Sequence, residues 1–201
     1  MGPQTRESLA EITPAKALEL LKAGNRRFVE GRRKARDLSM QTVQTSDSQY
    51  PFAVILGCVD SRVPIELVFD LGIGDVFAIR IAGNVVNEDV LGSMEFATKM
   101  VGSRHILVLG HTNCGAIKGA VEGVELGNLT GILNKIQPAV QAARQGNNGE
   151  LDIYQVAEMN VRLMMKQITE RSAVLNELAA DGLISISGGM YDVANGKATF
   201  L

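Results

Sequence analysis

Three short apolar runs, residues 52–57 (FAVILG), 76–81 (VFAIRI) and 105–110 (HILVLG), alternate with segments of helical character. That alternation constrains the fold more than any other feature. Apolar runs of this length, closed off by turn residues, read as strands with both faces buried. Between them, Val63-Pro64 restarts the chain as a short helix to Phe69, residues 71–75 turn it, and Asn87-Glu88-Asp89 caps a helix reaching about Met100. Strand, helix, strand, helix, strand predicts an α/β fold with a mostly parallel central sheet flanked by helices. Sheets of this kind carry their chemistry at the carboxyl ends of the strands.

The flanking segments extend the pattern. Thr13-Pro14 pairs an N-cap with proline at the first helical position, and Ala17, Leu20, Leu21 and Phe28 recur at helical spacing to about Gly31, which gives an amphipathic N-terminal helix. Residues 32–50 are polar and read as a loop. After the third run, helices are expected over 115–121 and 129–143, the latter kinked at Pro138, followed by a loop at 144–149. Ile153, Val156, Val161, Met164 and Ile168 keep a helical period, Ser172 caps another helix to Ala180, and residues 183–187 form a last short strand, so the C-terminal segment is largely helical. At 201 residues the chain reads as one domain, with a helical arm over 1–34 and a catalytic core over 50–190. A chain this long buries about 70% of its unfolded surface and needs no disulfide to fold.

Charge narrows the partners. Lys and Arg number 20 against 22 Asp and Glu, a net charge of -2 that offers no basic footprint for nucleic acid. No apolar stretch approaches the roughly eighteen residues that span a bilayer, and Arg6, Glu7 and Glu11 lie where a signal peptide needs an apolar core. The expectation is a soluble, cytoplasmic protein without membrane or nucleic-acid partners; it would be periplasmic if an export signal has been removed ahead of Met1-Gly2-Pro3.

The first and third runs end in chemistry. Cys58-Val59-Asp60-Ser61-Arg62 follows one and His111-Thr112-Asn113-Cys114 the other, and these are the only two cysteines in a chain with two histidines. Zinc favours thiolate and imidazole donors in a tetrahedron, and a catalytic zinc keeps its fourth position for water or substrate. Cys58, His111 and Cys114 supply three such donors. Asp60 either ligates the metal as the fourth or stands beside it, and Arg62 is placed to grip its carboxylate bidentately. Two thiolates and a neutral imidazole already balance Zn²⁺, which favours Asp60 off the metal as an ionised acceptor. Phe77 reads as core, and His105 begins a strand with no reason to face the site. Gly72-Ile73-Gly74 precedes a strand and lacks a third glycine, so it is no dinucleotide loop. A thiol nucleophile with His111 as base would leave Cys114 unused.

The two spaced motifs, Cys-x-Asp-Ser-Arg at 58–62 and His-x-x-Cys-Gly at 111–115, resemble the β-class carbonic anhydrases. The similarity runs from Gly24-Asn25-Arg26-Arg27-Phe28 through residues 79–84 (IRIAGN) to Gly131, and more weakly to the C-terminus. It implies reversible hydration of CO₂ to bicarbonate, one zinc per chain held by Cys58, His111 and Cys114, and an Asp60/Arg62 dyad at the metal. It also implies a substrate-side glutamine nine residues before the first cysteine, here Gln49. Either Gln49 or a backbone N–H near Gly115 would polarise the substrate oxygen. Family members are generally dimeric or built from dimers, with sites at the subunit boundary. The alternatives on the same scaffold are a COS or CS₂ hydrolase and a non-catalytic zinc-binding protein.

Overall fold

The computed structural model describes residues 2–146 and 151–201. A short helix α1 (Arg6–Ala10) precedes α2 (Pro14–Val29), which starts where Thr13 accepts the Lys16 N–H on its hydroxyl and Pro14 supplies a preset φ. The stretch expected to be loop contains α3 (Leu38–Gln44), capped by Asp37, whose side chain accepts the Met40 N–H. A good cap and one partly buried turn suffice where hydrophobic periodicity is too short to read.

Strand β1 (Ala53–Gly57), helix α4 (Ile65–Val68) and strand β2 (Val76–Arg80) follow the predicted order. A 3₁₀ turn at Ala82–Asn84 leads to α5 (Glu88–Glu95), capped by Asn87. The helix expected to continue to Met100 changes instead to a π-helical turn over Phe96–Val101 and stops at left-handed Gly102. Strand β3 (His105–His111) and helices α6 (Gly115–Glu122), α7 (Gly127–Gly146), α8 (Ile153–Arg171) and α9 (Ala173–Ala180) come next. Helix α7 continues through Pro138 and covers residues 144–146 of the expected loop, whose residues 147–149 lie outside those described. Strand β4 (Ser185–Tyr191) is longer than expected, and a further strand, β5 (Ala198–Phe200), lies antiparallel to it. Three residues carry too little pattern to announce a strand.

The sheet order is β2-β1-β3-β4-β5, parallel up to the last pair. Alternation within the central strands feeds two cores. Val54, Leu56, Ile106 and Val108 face α5, α6, α7, α8 and α9 on one side, whereas Ala53, Ile55, Leu107 and Leu109 meet α2 and α4 on the other. Both central strands are therefore buried throughout, as runs covered on two faces must be.

Close approaches fix the layers. A Cβ on Gly24 in α2 would lie 1.8 Å from the Phe69 carbonyl oxygen, so glycine is what lets α2 dock. Its neighbour Asn25, buried, donates to the carbonyls of Val68 (3.0 Å) and Gly196 (2.9 Å) and accepts from the Ala198 N–H (2.8 Å), tying β5 to the helix. On the opposite face α8 presses on Gly110 and Gly188, where a Cβ would meet Val161 at 2.6 and 2.7 Å. No helix among the described residues is long and apolar enough to cross a membrane.

Candidate metal centre

The parallel pairing of β1 with β3 brings their carboxyl ends side by side. Cys58 follows β1, and His111 is the last residue of β3. A two-residue turn with Asn113 left-handed (φ 55°) then places Cys114 as the N-cap of α6. The turn is held on the β4 side, where Thr112 donates its N–H to the Tyr191 carbonyl (2.9 Å) and accepts the Val193 N–H on its hydroxyl (3.1 Å). All three side chains are buried, and their donor atoms lie within 4.8 Å of one another.

Protonation follows from the partners. His111 Nδ1 lies 2.9 Å from the Thr112 carbonyl oxygen, which can only accept, so Nδ1 carries the proton and Nε2 presents a lone pair. That buried Nε2 has no hydrogen-bond partner among the described residues. The two thiols titrate apart: the hydrogen bond with Cys114 lowers the Cys58 pKa against the opposing effect of burial, while the same contact, burial and the Cys58 charge push Cys114 up. An orphaned imidazole nitrogen beside two buried sulfurs fits a thiophilic divalent ion. Ligands bound at about 2.0–2.3 Å in a tetrahedron sit under about 4 Å apart, so the donors need only a small contraction.

Beside them, Arg62 clamps Asp60 through Nε to Oδ1 (2.9 Å) and Nη2 to Oδ2 (2.8 Å), and the Arg62 N–H adds a third bond to Oδ1 (3.0 Å). The guanidinium keeps the Asp60 carboxyl well below the usual carboxylate range, against partial burial. Oδ2 stands 4.0 Å from His111 Nε2. Asp60 is thus ionised, turned toward Arg62, and at the rim of the cluster. Arg62 also donates to the Asn113 carbonyl (3.2 Å), linking the two motifs.

Several residues of the site carry no chemistry that sequence alone reveals. Arg80 on β2 donates to the carbonyls of Cys58 (3.0 Å) and Asp60 (2.7 Å), which fixes the backbone between them. The N–H of Gly83 points at Cys58 Sγ (3.4 Å), and Asn160 from α8 donates to the Gly83 carbonyl (2.9 Å). Arg80 and Gly83 belong to the 79–84 stretch; Asn160 betrays itself only as a polar residue inside an apolar helical stripe.

Gly115 opens α6 directly after Cys114 and is exposed, with nothing within 4 Å of where a Cβ would stand. Gln49 lies elsewhere. It precedes β1 while Cys58 follows it, so a five-residue strand of about 3.3 Å per residue separates them. Its side of the sheet holds a cleft of about 490 Å³ lined by Arg6, Leu9, Tyr50, Met100 and Arg104 as well.

Comparison with known proteins agrees with this geometry. The carbonic anhydrase family model matches residues 53–198. Carbonic anhydrase 2 of Mycobacterium tuberculosis is 35% identical over 196 residues, 94% of each chain. The β-carbonic anhydrase CafA of Aspergillus fumigatus shares the structure at a TM-score of 0.73 and 27% identity, covering 93% of this chain and 89% of that one. A tetrameric β-carbonic anhydrase of Sordaria macrospora shares the fold at a TM-score of 0.72 and 23% identity, over 81% of this chain and 90% of its own. A family match spanning the sheet from β1 to β5, with a relative above 30% identity along nearly the whole length, shows that the chain belongs to the β-class carbonic anhydrases.

Proposed function

We propose that the chain interconverts CO₂ and bicarbonate with one zinc ion held by Cys58, His111 and Cys114. The observation that carries this reading is the unpartnered His111 Nε2, buried against two thiols with a clamped carboxylate 4.0 Å beyond. When bound, the ion supplies the Lewis acidity that makes water a nucleophile near neutral pH.

The chain's own residues do the rest. Two sulfurs and a neutral imidazole balance the charge of a divalent ion, so Asp60 is not required as a ligand while Arg62 holds it. Ionised and fixed, Asp60 accepts the hydrogen bond of the attacking oxygen and aims its lone pair at the carbon. The open backbone at Gly115 offers an N–H to a substrate oxygen. The Thr112 carbonyl keeps His111 in one tautomer throughout.

Gln49 is separated by β1 from the cluster of its own chain, so it would serve as the substrate-side amide only from a second copy. That makes a homodimer, or a larger assembly of dimers, the working unit. The Sordaria proteins are described as tetrameric, which is compatible with such a build. The test is stopped-flow CO₂ hydration followed by proton release, alongside metal counting on the same sample. One zinc per chain, with hydration lost on chelation and restored by zinc, is expected. Undiminished hydration in thoroughly chelated protein would overturn the reading, and faster turnover of COS or CS₂ than of CO₂ would change the substrate.

A further inference from the structure

Helix α8 turns an apolar stripe toward the sheet through Val156, Val161, Met164 and Ile168, all buried. Asn160 interrupts it and is 0% exposed. A buried amide is costly unless bonded. Its Nδ2 donates to the Gly83 carbonyl at 2.9 Å, yet its Oδ1 finds no partner among the described residues. An apolar residue would suit this position better if packing were all it did, so the single donated bond needs a reason.

That bond lands on a turn with a single internal bond, from the Asn84 N–H to the Ile81 carbonyl (2.9 Å). Gly83 and Asn84 are both left-handed, at φ 67° and 43°. Glycine takes up that conformation freely, whereas Asn84 persists in it only where surrounding contacts fix it. Helix α8 supplies those contacts: below Asn160, Met164 Sδ accepts the Val86 N–H (3.1 Å) and Arg171 Nη1 donates to the Val86 carbonyl (3.3 Å). The helix is a splint along residues 83–86, and the splinted turn aims the Gly83 N–H at Cys58 Sγ.

We infer that Asn160 is a positioning residue for Cys58: by anchoring the Gly83 carbonyl it fixes an N–H on the sulfur and so tunes how strongly that sulfur donates to a bound ion. The inference rests on the reading that Cys58, His111 and Cys114 hold a metal. Hydrogen bonds to a ligand sulfur withdraw charge from it and set its direction, and outer partners of this kind typically govern about 10- to 100-fold in metal affinity. Here the bond would offset part of the strong donation of two thiolates.

The experiment uses the 201-residue chain loaded with cobalt, whose thiolate-to-metal charge-transfer band reports on the sulfurs directly. Asn160→Leu removes the donor while completing the apolar stripe; Asn160→Asp keeps the shape but replaces the donor with an acceptor. Val161→Ala is the packing control, because it loosens α8 against Gly110 and Gly188 without touching Gly83. Both Asn160 variants are expected to shift the band to longer wavelength, because the sulfur regains charge, and to weaken cobalt binding roughly 10- to 100-fold, because the loss of its fixed direction outweighs the stronger donation. Val161→Ala is expected to melt earlier with band and affinity unchanged. An unshifted band with unaltered affinity in Asn160→Leu would overturn the inference, as would the same shift in Val161→Ala. Failure of the wild-type chain to take up one cobalt would instead overturn the metal reading and take the inference with it.

Discussion

Arg62 holds both carboxylate oxygens of Asp60, Nε at 2.9 Å from Oδ1 and Nη2 at 2.8 Å from Oδ2, while Oδ2 stays 4.0 Å from the lone pair of His111. A fork-to-fork contact fixes direction as well as charge. Asp60→Asn keeps the size of the side chain but loses the ionised acceptor. Its expected outcome is full metal content with CO₂ hydration reduced by about 10²- to 10⁴-fold. Metal analysis and stopped-flow rates on one preparation check this; unchanged turnover would remove Asp60 from the reaction.

Cys58 and Cys114 reach the same cluster from different elements, one after β1 and one before α6. Cys58→Ala and Cys114→Ala are each expected to leave zinc well below one per chain and to abolish hydration, since two remaining donors cannot complete a tetrahedral site. Metal counting after gel filtration is the check.

Gln49 and Cys58 flank β1 at opposite ends. If Gln49 acts across a dimer, a Gln49→Ala chain and a Cys58→Ala chain, each inactive alone, recover activity when refolded or co-expressed together, because the mixed dimer holds one complete site. No recovery in a mixture shown to contain mixed dimers would confine the glutamine to a structural role.

His105 is buried between Ser185 (Nδ1, 2.7 Å) and Ser187 (Nε2, 3.0 Å), and burial depresses its pKa to about 4. A lowered histidine pKa means that the unfolded chain takes up the proton first. The stability contribution is full above the unfolded value near 6.5, declines as pH falls through the window between there and about 4, and is gone below it. The loss amounts to about 3 kcal/mol across that window. Urea unfolding at several pH values should show it, and His105→Gln should flatten the wild-type slope in that range.

Two helical glycines should respond oppositely to alanine. In Gly24→Ala the new Cβ meets the Phe69 carbonyl at 1.8 Å, a backbone atom that cannot step aside, so a loss of at least about 1–3 kcal/mol is expected. In Gly131→Ala, on the exposed side of α7, nothing lies within 4 Å and stability should rise by about 0.5–1 kcal/mol. Thermal melts of the two variants test both signs at once.

The sequence by itself determined the strand–helix alternation, the ends of β1 and β3 as the place where reactive residues gather, and Cys58, His111 and Cys114 as a set of donors that could hold a metal ion. Those features are local: apolar runs, caps and ligand chemistry are written in neighbouring residues. It left Asp60 open between ligand and bystander, because that depends on where the Arg62 fork lands. It assigned Arg80, Gly83 and Asn160 no role, although the first two lie in the 79–84 stretch; their part in the site rests on contacts 22, 25 and 77 residues apart in the chain. It placed Gln49 by its offset from Cys58 alone, and the direction of β1 puts that residue at the far end of the strand. Tertiary structure decided these points because hydrogen-bond direction and the approach of one element to another are set by packing, which spacing along a chain does not encode.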